Sequence, residues 1–208
     1  HVAEPGEAAW RVLAKWSLRT VTRPRRLDRC LARVRSDWPE NVQVREEAEL
    51  TADMLPARSP FAFRLAPSLE YLRWRYAPGL SFVRYRVFRL RRGSETSGYI
   101  ILNDLPKRVL VAHADGDDAR TLAGGMLQAL CHVTREDPVP RECVLLSSHP
   151  AMQSMFLRFG FRAESQERPF AVAKPPPELA QAPDSSHWLM NYDWADIGLR
   201  TPFLDQAL

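Results

Sequence analysis

Between Cys143 and Phe161 the chain changes its hydrophobic period from strand to helix and back, CVLLSSHPAMQSMFLRFGF. Cys143-Val144-Leu145-Leu146 is an apolar run short enough for a buried strand. Pro150 favours a first helical turn, so Ser148 or His149 is expected to cap a helix. Met152, Met155, Phe156 and Phe159 then fall at helical spacing, one apolar stripe. Gly160 stands where a helix ends in a left-handed residue, and Phe161 opens the next strand. A strand, a capped helix and a second strand in this order constrain the chain to a mixed α/β layer structure.

The rest of the chain reads as follows. Val42–Arg45 alternates like a short strand, and 52–55 is expected to be a short helix stopped by Pro56. Ser68 caps a helix over 69–76, with Leu69, Leu72 and Tyr76 on one face. Residues 82–90 and 97–102 form strands around the Arg91–Glu95 turn, a hairpin. Residues 108–114 form a strand buried on both faces. A helix over 119–135 buries Leu122, Met126, Leu130 and Val133. A strand is expected over 169–173, and 187–192 reads as a last one.

Composition narrows the class. The chain has 208 residues, 45% hydrophobic and 26% charged, which fits one sizeable domain with an appendage. No apolar run reaches the roughly 20 residues that span a bilayer. Cys30, Cys131 and Cys143 are odd in number and scattered, which points to a reducing, cytoplasmic setting and gives no metal-ligand spacing. Residues 1–38 carry nine Arg or Lys against four acids, a balance of +5 that leaves −1 for the rest of a +4 chain. That segment, 7–35, is expected to be helical with a break at Arg23-Pro24. Its basic faces carry no nucleic-acid recognition motif, so a solvated surface is the expected role. The chain starts at His1 rather than Met, and further sequence is expected upstream.

Three stretches resemble the Gcn5-related N-acetyltransferase (GNAT) superfamily. The helix ending Arg158-Phe159-Gly160-Phe161 resembles that family's last block. Leu72-Arg73-Trp74-Arg75-Tyr76 resembles a segment preceding its second strand. Arg120-Thr121-Leu122-Ala123-Gly124-Gly125 is similar to its Gln/Arg-x-x-Gly-x-Gly/Ala motif, with Ala123 at the first glycine. The order of elements agrees over 42–196. The resemblance implies a central, mostly antiparallel twisted sheet flanked by helices, with an N-terminal helical appendage. It divides the chain into a basic segment over 1–40, the domain over 41–198 and a tail over 199–208.

The family's chemistry is transfer of an acetyl or acyl group from acetyl-CoA or another acyl-CoA to an amine. By the resemblance, backbone of Leu110, Val111 and Ala112 would pair with the pantetheine arm. Residues Arg120, Thr121, Ala123, Gly124 and Gly125 would cradle the pyrophosphate. The family's proton-donating tyrosine falls on Phe156, which cannot donate. His113, Tyr192 and His149 are the candidate substitutes, and Asp115, Asp117 and Asp118 are candidate bases. Two other readings stand beside this one. The first is a catalytically degenerate binding or pairing module, as a dimer or the C-terminal part of a tandem protein. The second is an enzyme drawing its acyl group from an acyl carrier protein. The acceptor would be a small molecule or a protein amine. Ala123→Asp is expected to abolish CoA affinity in the enzyme and to change nothing in the module.

Overall fold

The computed structural model describes residues 10–15, 18–21, 41–61, 63–64, 66–77, 84–135, 141–147, 149–163, 167–172, 188–189 and 191. The strands are β1 (Trp10–Lys15), β2 (Leu18–Val21), β3 (Val42–Glu47), β4 (Phe63–Arg64), β5 (Tyr85–Arg92), β6 (Glu95–Asp104), β7 (Arg108–Gly116), β8 (Glu142–Leu145), β9 (Arg162–Ala163), β10 (Glu167–Val172) and β11 (Trp188–Leu189). The helices are α1 (Leu69–Arg75), α2 (Ala119–Thr134) and α3 (Pro150–Arg158), with a 3-10 turn at Ala52–Met54.

Seven strands form the main sheet in the order β3-β5-β6-β7-β8-β2-β9. All of its pairings are antiparallel except β7 with β8. The mixed α/β class with a mostly antiparallel sheet is therefore the one expected. β6 sorts its side chains by the two-residue period of a strand. Ile100 and Leu102 join Phe88 and Leu90 under α2 and α3, packed on Leu122, Met126, Leu130, Met152 and Phe156. Tyr99 and Ile101 go to the opposite face, with Leu50, Met54, Leu72, Tyr76 and Val87. Full burial of one such aliphatic or aromatic side chain contributes about 1.5–3 kcal/mol.

Local signals set the boundaries. The Ser68 hydroxyl accepts the Tyr71 N–H at 3.1 Å and starts α1. Gly93 turns the β5–β6 hairpin at φ +62°, and Gly160 ends α3 at φ +86°. His149 is the N-cap residue of α3, with Pro150 in the first turn.

The N-terminal segment departs from expectation. Residues 10–15 and 18–21 are strands, not helix. β1 pairs with β10, and β2 lies between β8 and β9 in the main sheet. Windows of six and four residues satisfy a helical and an extended period alike, and pairing with distant strands decides between them. The helical appendage is thus replaced, at these residues, by strands: β2 in the main sheet and β1 in a two-stranded sheet with β10. The expected break at Pro24 and the rest of the basic segment to residue 40 lie outside the described residues.

Candidate functional site

β7 is where the sheet opens. Its first residues pair with β8 in parallel, Arg108 with Glu142, Val109 with Cys143 and Leu110 with Val144, and the pairing stops there. On its other side β7 stays paired with β6 as far as Gly116. Opposite Ile101 and Leu102 the register slips by one residue, so Ala112 is an extra residue in β7. Such a bulge bends its strand and strengthens the local twist, and it falls where the pairing with β8 has ended. From Val111 onward β7 has an edge that β8 does not cover.

Side chains finish that edge. Asn191 donates from Nδ2 to the Ala114 carbonyl at 3.2 Å and accepts the Ala114 N–H on Oδ1 at 2.9 Å. Asn191 is buried, and it follows β11, which pairs in parallel with β4 through Trp188–Phe63 and Leu189–Arg64. From β4, the guanidinium of Arg64 forms an ion pair with the Asp115 carboxylate. Asp115 also accepts the Gly116 N–H at 2.9 Å. Burial raises the Asp115 pKa to about 6, against the opposing pull of Arg64.

The start of α2 is acidic. Asp118 is its N-cap, and the carboxylate accepts the Thr121 N–H at 2.7 Å. It supplies the negative charge that a helix N-terminus favours. Asp117 accepts a hydrogen bond from the Ser97 hydroxyl and lies 3.6 Å from Arg92.

The expected site residues fall in different surroundings. Leu110 is paired with Val144, so an arm along β7 has Val111 and Ala112 at the opening instead. Thr121, Ala123, Gly124 and Gly125 are buried, while Arg120 is exposed. Gly124 and Gly125 lie beyond the first turn of α2, where N–H groups belong to the helix ladder. A Cβ on Gly125 would meet the Leu90 side chain and stand 3.1 Å from Ile100 Cδ1. That glycine lets the helix approach the sheet. Ala123 is fully buried, so Ala123→Asp would break the core and is no measure of ligand binding.

The two histidines do not converge. His113 is fully buried and stacks on Tyr99 with ring centroids 5.7 Å apart, beside Tyr76. His149 meets Phe61 edge-on at 5.5 Å. Tyr99 and Tyr76 belong to the cluster under α1, Phe61 to the one under α2 and α3, so the rings serve opposite faces. Tyr192 lies outside the described residues. Phe156 is fully buried against Phe161.

Sequence reasoning missed Arg64, Asn191 and the Ala112 bulge. It ended the strand at residue 114, whereas Asp115 is a buried residue of β7. An acid continuing an apolar strand run was the available signal for Asp115; the partnership of Asn191 with Ala114 had none. No family model matches the chain, and no curated protein matches it significantly. No helix among the described residues is long and apolar enough to cross a membrane.

Proposed function

We propose that the protein is a GNAT-type N-acyltransferase that moves an acetyl or other acyl group from acyl-CoA to an amine. The observation that supports this reading is the parting of β7 from β8 beyond Leu110, with the bulge at Ala112. A pantetheine arm is a chain of amides and needs a strand edge without a neighbouring strand; Val111 and Ala112, both buried, lie where the pairing with β8 has stopped. The exposed Arg120 at the start of α2 is the cation for the phosphates, though Asp118 beside it opposes an anion.

In the reaction the amine nitrogen attacks the thioester carbonyl carbon. A C–N bond forms, the C–S bond breaks, and the sulfur leaves as thiolate. The nitrogen loses one proton, and the thiolate gains one. Asp115, at the end of β7 with a carboxyl held up at about 6, is the group we assign to take the amine proton. Phe156 has no proton to give, so the thiolate takes its proton from water. The donor is acetyl-CoA or another acyl-CoA, the acceptor a small-molecule or protein amine, and the setting cytoplasmic.

Titration with acetyl-CoA by calorimetry and thermal shift tests the reading. Micromolar binding, weakened about tenfold by Arg120→Glu through loss of one charge-assisted contact, is the expected result. Absence of binding at millimolar ligand would sink it. The degenerate module, paired as a dimer or within a tandem protein, is the second reading. The acidic cap of α2 and the buried Phe156 favour it. A carrier-protein donor would dispense with the phosphate contact, and Arg120→Glu would then leave the acylation rate unchanged.

A further inference from the structure

We infer that Asn191 is an internal competitor of the donor: its side-chain amide occupies an amide-binding position on the open edge of β7. The inference rests on the acyl-CoA reading for its ligand and on the geometry of Ala114 for its site. A donor arm that pairs at Val111 and Ala112 and reaches Arg120 with its phosphates must pass Ala114. Both backbone groups of Ala114 that face the opening are held by Asn191, at 2.9 and 3.2 Å. A primary carboxamide presents its carbonyl and one of its two N–H groups side by side, whereas a trans secondary amide points them opposite ways, so the two amides of a pantetheine arm would supply one group each. The residue therefore satisfies in the free protein what two successive arm amides would satisfy in the complex.

Asn191 is brought to this place from 77 residues away. Its nearest described anchor is the two-residue pairing of β11 with β4. Arg64, in the same β4, holds Asp115 next to Ala114. The β4–β11 unit thus holds two consecutive residues of β7, Ala114 and Asp115, beyond the position proposed for the arm. A ligand that binds only when Asn191 has let go sees an affinity reduced by the fraction of molecules in the released state.

The test compares wild type with Asn191→Leu, which keeps the volume and loses both hydrogen bonds. CoA and pantetheine are titrated by calorimetry, with the melting temperature as a check on folding. The expected result is CoA binding by both proteins, about tenfold tighter in the variant, as removal of a competing state requires. Equal or weaker binding by the variant overturns the competitor and leaves the donor reading standing. Pantetheine binding to the variant while CoA binds neither protein keeps the amide position and overturns the donor reading at the phosphates. If neither ligand binds either protein, both fall. Where Asn191→Leu does not fold, the wild-type Asn191 side-chain NH2 resonances decide. They move to solvent-exposed values on addition of either ligand if Asn191 is displaced. They stay put if it is not, or if nothing binds, and either result overturns the inference.

Discussion

The two halves of β7 differ in what completes their backbone. Val109 and Leu110 have a strand on each side, β6 and β8, and their hydrogen bonds belong to a ladder. Val111–Gly116 has β6 on one side and, on the other, the carboxamide of Asn191 on the Ala114 backbone, with the Arg64–Asp115 side-chain pair one residue on. Buried backbone groups need partners in both halves. A ladder is replaced only by moving a strand, whereas a side-chain contact can be exchanged residue by residue. The second half is thus the part of the sheet where a ligand can take over from the protein.

Gly98→Ala carries the largest expected effect on this comparison. Gly98 in β6 sits at φ +156°, and a Cβ there would meet the Asp115 carbonyl and stand 2.7 Å from Gly116 Cα. Backbone cannot yield as a side-chain tip does, so the second half of β7 must shift, at about 3 kcal/mol or more. Urea denaturation measures this. A loss below about 1 kcal/mol would mean that this half yields easily to overpacking.

Asp115 gives the next effect, and its sign is set by a raised pKa. The folded protein holds this proton to about 6, while the ordinary carboxyl value is 3.8. Between those values the native state binds more proton than the unfolded state, so stability falls as pH rises. Relative to Asp115→Asn, wild type should lose about 3 kcal/mol at most between pH 3 and pH 7, since each pH unit separating the two values is worth about 1.4 kcal/mol. Denaturation of both proteins across that range checks it. A flat difference would mean that Arg64 offsets the burial and leaves the folded carboxyl at its ordinary value.

Asp118→Ala removes the cap of α2 and should cost about 1 kcal/mol. Its measurement by thermal melting separates stability from ligand effects, because the same change takes a negative charge from the proposed phosphate position. Glu46→Gln provides the smallest effect and the control. Arg86 binds Glu46 through two contacts, 2.8 and 2.5 Å, and holds its carboxyl below the usual range. This pair lies on β3 and β5, remote from the β7 edge and partly exposed, so its loss should cost about 0.5 kcal/mol without changing CoA affinity.

Most of the sheet was legible because its strands are long and their neighbours are sequential. β5, β6 and β7 follow one another with short turns, and apolar runs mark each. α2 was legible from Leu122, Met126, Leu130 and Val133, all buried as their spacing implied. β1 and β2 were misread because their partners, β10, β8 and β9, come from the far end of the chain. The opening was legible only in outline. A strand before a helix at Asp118 could be read, but a one-residue bulge leaves no mark on composition. The Gly-Gly pair looked like an anion cradle, yet Gly125 answers to Leu90 and Ile100 across the helix–sheet contact. Periodicity registers burial; it carries no information on which distant amide closes an edge.

The position of Asn191 along the chain also sets an order of events during synthesis. β5 to β8 and α2 precede it, so the ribosome releases a nearly complete sheet while Ala114 still lacks its partner. An uncovered strand edge is a template for pairing with another chain. The interval between emergence of β8 and arrival of β11 is therefore the window in which nascent copies are most prone to associate through β7, and truncation before Asn191 would make that window permanent.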